Sequence, residues 1–136
     1  MHRLQVELAR LGWGRDDPAF RQVFTLQFMP DGSRELWDHF NDLQRKTTSP
    51  ENAAKILNLF GGIDVRADAG RISAPTLVLH ARHDQRPPFE QGRLLASLIP
   101  HSRFVALNSN NHILLADEPA WKVFLTEVEG FLAARP

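Results

Sequence analysis

The amino-acid sequence predicts an α/β chain: a helical first half, then a β-α-β-α run with parallel strands. Three observations carry the prediction. Apolar residues recur at helical spacing, punctuated by capping residues, as far as about Phe60. Two short continuous apolar runs, "TLVLH" and "RFVAL", follow. Each run is succeeded by another helical ladder, and strands joined through a crossover helix lie parallel.

In the first half, Leu4, Leu8 and Leu11 fall on one helical face, and Gly12 is a C-terminal stop. "DDPAFRQVFTLQF" places Asp17 as N-cap and Pro18 at the first helical position, with Phe20, Val23 and Phe24 along one stripe. "PDGS" is a turn, after which Leu36, Trp37, Phe40 and Leu43 recur at helical spacing. "TSPENAAKILNLFGG" repeats the capping device: Ser49 caps, Pro50 starts, and Gly61 or Gly62 stops the helix. Residues 1–62 therefore read as four short amphipathic helices, and the pattern changes near Ile63 to Ser73.

Residues 63–136 follow a different rule. "TLVLH", with Pro75 just ahead of it, suits a strand buried on both faces. "EQGRLLASLI" has helical spacing at Leu94, Leu95, Leu98 and Ile99, and Pro100 closes it. "RFVAL" is the second strand. "DEPAWKVFLTEVEGFL" then forms a ladder of Trp121, Phe124, Leu125, Val128, Phe131 and Leu132, with Pro119 in the first turn, where its missing N–H is tolerated. Two parallel strands alone make a poor sheet, since isolated pairs are marginal in water and parallel sheets need cover on both faces. The expectation is a sheet completed elsewhere: in a front half absent from these residues, or by another copy in a homo-oligomer.

With 136 residues the chain is long enough for a real core. Sixteen basic residues balance sixteen acidic ones, so no net field draws nucleic acid or anionic membrane, and no direct nucleic-acid binding is expected. The absence of cysteine excludes disulfides and thiolate metal sites. No apolar run approaches the roughly 20 residues of a spanning helix, and the N-terminal stretch lacks a signal-peptide core. A soluble, cytoplasmic protein without a cofactor is expected.

The stretch "PTLVLHARHDQRPPFEQGRLLASLIPHSRFVALNSNNHILLADEPAW" resembles the C-terminal part of the α/β-hydrolase fold. The resemblance implies a partial α/β-hydrolase fold, a helical cap followed by the last strands. In that family a late strand leads to the acidic member of a Ser-His-Asp triad, and the loop after the last strand carries the histidine. Asp84 and His112 stand at those positions, 28 residues apart. Met1 to about Phe60 resembles the cap inserted over the family's active site. "LGWGRDDPAFRQVF" and "TSPENAA" resemble hydrolase-type domains fused to LuxR-type regulators or nucleotide-cyclase modules in bacteria. That resemblance implies a second reading, a ligand-sensing or oligomerisation domain of a transcriptional regulator.

The chemistry explains the pair. An imidazole acts as general base when a carboxylate holds one nitrogen, fixes the tautomer and stabilises the imidazolium that forms. The family's order is Ser, Asp, His, and the last two are present in order. The first is missing: no G-x-S-x-G occurs, Ser33 lies in a turn, Ser49 is a cap, and Ser73, Ser97, Ser102 and Ser109 lack a strand-to-helix elbow. A glycine-rich stretch to supply oxyanion-hole amides is missing too. The family usually has Gly where Ala81 stands, and often Gly just before the histidine. Here Asn110 and Asn111 occupy that approach, and their tolerance of left-handed backbone suits the same turn.

Each residue also has a plainer reading. Asp84 suits a turn-capping role before Pro87 and Pro88, and His112 suits a surface loop. His80, His83 and Asp84 invite a metal site, yet the two histidines straddle a strand end instead of sharing a helical face, and no metal is expected. Trp13, Phe20, Phe24, Phe28, Trp37, Phe40 and Phe60 fit core packing as well as an apolar pocket or partner surface. A small-molecule substrate or ligand is the expected partner.

Overall fold

The computed structural model describes residues 2–134. Four helices come first: α1 (His2–Gly12), α2 (Ala19–Phe28), α3 (Arg34–Thr47) and α4 (Pro50–Phe60). A single turn, α5 (Arg66–Ala69), leads into β1 (Thr76–Ala81), α6 (Phe89–Leu98), β2 (Ser102–Leu107) and α7 (Pro119–Ala133). The strands pair in parallel, from Thr76 opposite Ser102 to Ala81 opposite Leu107. The chain divides into two compact units. Residues up to 26 together with 32–64 form the helical one, and residues 27–31 join those from 65 onward in the other.

In the helical unit the caps explain the boundaries. Ser49 Oγ accepts from the Asn52 amide at 3.3 Å, Pro50 opens α4 and Gly61 ends it. Ser33 caps α3 in the same way, accepting from Leu36 at 3.1 Å. Asp17 accepts from the Ala19 amide at 2.9 Å, so it acts one residue further out than the sequence suggests, and Pro18 precedes α2 instead of opening it. At the end of α1 a Cβ on Gly12 would lie 2.0 Å from the Phe20 ring, so only glycine permits that approach.

The core of this unit is Val6, Ala9, Phe24, Ala53, Ala54 and Leu57. Of the predicted leucine face of α1, Leu8 packs against this core, and the rest is corrected: Leu4 is 62% and Leu11 61% exposed. Ala9, Ala53 and Ala54 are buried in one cluster where α1 packs on α4, and small side chains suit close approach of two helices, so Val6 and Ala9 face inward. Val23 and Leu43, also predicted on inner faces, are exposed. Of the predicted aromatic stripe, Phe24 is buried and Phe60 exposed, so core packing and an open surface each claim part of it.

The interior between α2 and α3 is polar. Thr25 Oγ1 donates to Asn41 Oδ1 at 2.7 Å, Asn41 Nδ2 donates to Gln22 Oε1 at 2.6 Å, and Gln44 Nε2 donates to Thr25 Oγ1 at 2.8 Å. Arg21 is 2% exposed and donates to the carbonyls of Asn41 at 3.0 Å and Trp13 at 2.7 Å, and to that of Arg15. A guanidinium suits the end of α1, where unsatisfied carbonyls carry the negative pole of the helix dipole. Burial and then the nearby Arg45 lower its pKa, while Asp42, Asp16 and Asp17 oppose the change.

In the second unit α6 and α7 pack against both strands, and α5 packs on α6. The expectation that β1 is buried on both faces is corrected: Thr76 to His80 are half-buried and only Ala81 is fully buried. Among the described residues the sheet has two strands, so each keeps an unpaired edge.

Candidate functional site

Backbone pairing runs past the strand ends. Arg82 N donates to Leu107 O at 2.9 Å and His83 N to Ser109 O at 3.1 Å. The two strands therefore release their loops side by side at one edge of the sheet. Asp84 lies on the first loop and His112 on the second.

The two carboxylate oxygens of Asp84 do different things. Oδ1 accepts from the Arg86 amide at 2.7 Å, which is the turn-capping role. Oδ2 lies 2.8 Å from His112 Nδ1. Its side chain is 4% exposed and that of His112 36%. A proton on Nδ1 directed at the carboxylate leaves Nε2 as the acceptor nitrogen of a half-open imidazole.

The rest of the setting was not visible in the sequence. His112 N and Ile113 N both donate to the carbonyl of Phe28, at 2.8 and 3.0 Å. The imidazole lies 5.5 Å from the Phe28 ring, and the Arg86 guanidinium stands 5.1 Å from that ring's centre. Arg86 also donates to Gln27 Oε1 at 3.1 Å. Burial lowers the Arg86 pKa, with Asp84 pulling the other way.

Asn111 is 1% exposed. Its Oδ1 accepts from the Asp31 amide at 3.1 Å, and its Nδ2 donates to Glu118 Oε1 at 3.4 Å. The same Glu118 oxygen accepts from Leu115 N at 2.7 Å. Asn110 Nδ2 donates to Asp31 Oδ2 at 2.8 Å. The left-handed turn expected of Asn110 and Asn111 is not formed, since no described residue has positive φ. The two asparagines shape the loop by side-chain hydrogen bonds instead.

His80 is half-buried near the end of β1, with Nε2 3.1 Å from Pro87 O and 3.6 Å from Asp84 Oδ2, while His83 is exposed. Among the described residues no group of three or more His, Asp or Glu side chains is placed to hold a metal. Beside the Asp84–His112 pair lies a cleft of about 470 Å³ walled by Leu79, Leu107, Ile113, Leu114, Trp121 and Phe124, with His80, Asp84, Asn111 and His112 as its polar rim. Ser33, Ser49, Ser97, Ser102 and Ser109 each hydrogen-bond to backbone.

No family model matches the chain. Over 86 residues it is 29% identical to a protein of Pseudomonas syringae pv. syringae named "Putative carbamate hydrolase RutD", covering 63% of this chain and 32% of that one. Over 69 residues it is 30% identical to the protein of the same name from Pseudomonas savastanoi pv. phaseolicola, covering 51% and 27%. The chain thus spans about a third or less of these relatives. Among solved structures, a bromoperoxidase from Bacillus anthracis superposes with a TM-score of 0.76 at 27% identity over 94% of this chain and 48% of that one. An esterase from Exiguobacterium antarcticum gives a TM-score of 0.74 at 22% identity over 93% and 47%. The chain therefore has part of an α/β-hydrolase fold, mixed α/β with parallel strands, equivalent in extent to about half of either solved protein.

Proposed function

We propose that the chain is part of a serine-type hydrolase acting on an ester, amide or carbamate bond, with Asp84 and His112 as its acid–base pair. The observation that carries this reading is the 2.8 Å contact between His112 Nδ1 and the buried Asp84 Oδ2 at the tips of two parallel strands. In this reading Asp84 orients the ring. His112 Nε2 takes the proton of an attacking hydroxyl and returns it to the leaving group. The nucleophile comes from a segment outside these residues, and the helices of residues 1–62 act as the cap. The name of RutD supports a hydrolase with a carbamate among its substrates, and that of the esterase supports an ester. Incubation with p-nitrophenyl acetate tests the pair: slow hydrolysis that drops in His112→Ala and Asp84→Asn is expected. Hydrolysis indifferent to His112→Ala defeats the reading.

A second reading is a ligand-sensing or oligomerisation domain of a LuxR-type regulator in the cytoplasm. The apolar cleft supports ligand sensing, and the exposed Leu59, Phe60 and Ile63 support self-association. A monomeric mass by light scattering at micromolar concentration, with no thermal shift from apolar small molecules, removes it.

A further inference from the structure

We propose that His80 is a positioning residue for the Asp84–His112 pair, tying down the Asp84–Pro88 turn and with it the carboxylate that faces His112. The proposal rests on the reading of His112 as the base. It starts from an imidazole whose side chain is 9% exposed, one residue from the end of β1. Its Nε2 is 3.1 Å from the carbonyl of Pro87. A carbonyl only accepts, so Nε2 carries the proton. The same nitrogen lies 3.6 Å from Asp84 Oδ2, near but outside hydrogen-bond distance of the oxygen that His112 approaches at 2.8 Å. Oδ1 meanwhile accepts from Arg86 N. The Arg86 amide and the His112 imidazole thus hold the two oxygens of Asp84, and rotating its carboxylate would forfeit both.

The turn needs such a tie. Pro87 and Pro88 have no backbone N–H, so this part of the loop lacks two donors that a loop normally uses to hold itself. His80 supplies one from the adjacent strand. The ring is itself held in place. It meets the Phe89 ring edge-on at 5.7 Å and 88°, and it occupies the space beside Gly92 of α6. A Cβ on Gly92 would lie 2.1 Å from His80 Nδ1. Glycine inside a helix is destabilising relative to alanine. The imidazole at this point is the physical reason for it.

The experiment is ¹⁵N-histidine NMR on the whole chain, with far-UV circular dichroism as the folding control. In the unmodified protein His80 is expected as the Nε2–H tautomer and His112 as Nδ1–H. In His80→Leu the His112 Nδ1 proton should exchange with solvent about tenfold faster, because the loop opens more often. In His80→Gln, whose amide N–H can reach the Pro87 carbonyl, that exchange should return toward the original rate. A His80 found as Nδ1–H overturns the proposal whatever the variants do, and so does unchanged His112 exchange in a folded His80→Leu. A His112 found as Nε2–H, or left unaltered by Asp84→Asn, overturns the reading of the pair itself and is told apart from either result.

Discussion

The backbone amide of His112 donates to the carbonyl oxygen of Phe28 at 2.8 Å, so the histidine loop of the second half hangs on a residue from the first. The Phe28 ring also lies beside the imidazole and beneath Arg86. Phe28→Ala should remove that support and cost about 1–3 kcal/mol, less than a fully buried phenylalanine because this one is half-buried. Urea unfolding measures the loss, and Phe28→Leu should recover most of it.

Asn111 is the joint between the histidine loop, Asp31 and Glu118. Asn111→Ala removes a side chain that is 1% exposed, together with its bonds to the Asp31 amide and Glu118, and should cost about 1–3 kcal/mol. Asn111→Asp keeps an acceptor but places a carboxylate beside that of Glu118. Its deficit should be largest near neutral pH and shrink on acidification, as the carboxylates protonate. Unfolding curves at two pH values separate the cases.

Arg21 holds the end of α1 through several carbonyls at once. Arg21→Met strands those acceptors and should cost about 3 kcal/mol. Arg21→Lys should recover less than half, since one ammonium cannot span the fork that a guanidinium fills. Thermal unfolding of the three proteins ranks them.

Two helical glycines should answer alanine in opposite directions. Gly92→Ala drives a methyl into His80 Nδ1 and should destabilise by about 1–3 kcal/mol. Gly130→Ala in α7 meets nothing within 4 Å and should stabilise by about 0.5–1 kcal/mol. Equal shifts in melting temperature for the two would contradict this packing.

Asp42 lies on the exposed side of α3, where the hydrogen bond from Lys46, and then Arg45, hold its carboxyl below the usual range. A pKa depressed by folding means stability that is present above the unfolded value and lost as pH falls through the folded one. Asp42→Asn should therefore flatten the fall in urea midpoint below about pH 4 and matter less as salt rises. An unchanged slope would deny the pairing any energetic role.

Much of the architecture was legible because its signals are local. Ser49-Pro50 and Gly61 mark α4 by capping chemistry, which needs only neighbouring residues. The continuous apolar runs mark β1 and β2, and the helix between them dictates a parallel pair. The buried face of α1 was not legible. Apolarity pointed to Leu4 and Leu11, whereas close approach to α4 selects the small Ala9, and size at a crossing is a property of two helices. The polar interior of Thr25, Asn41 and Gln44 was equally hidden, because a pattern of apolar residues carries no record of hydrogen bonds satisfied across a helix pair.

What this sequence determined alone is the order of its elements, the single turn α5 excepted, and the loops that hold Asp84 and His112, because propensity, capping and period act over a few residues. Which oxygen of Asp84 meets which nitrogen of His112, that Phe28 carries the backbone of that histidine, and that His80 fills the space above Gly92 were decided by tertiary structure. Those relations join residues far apart in the chain, and only the paired strands and the packed helix bring their atoms within reach.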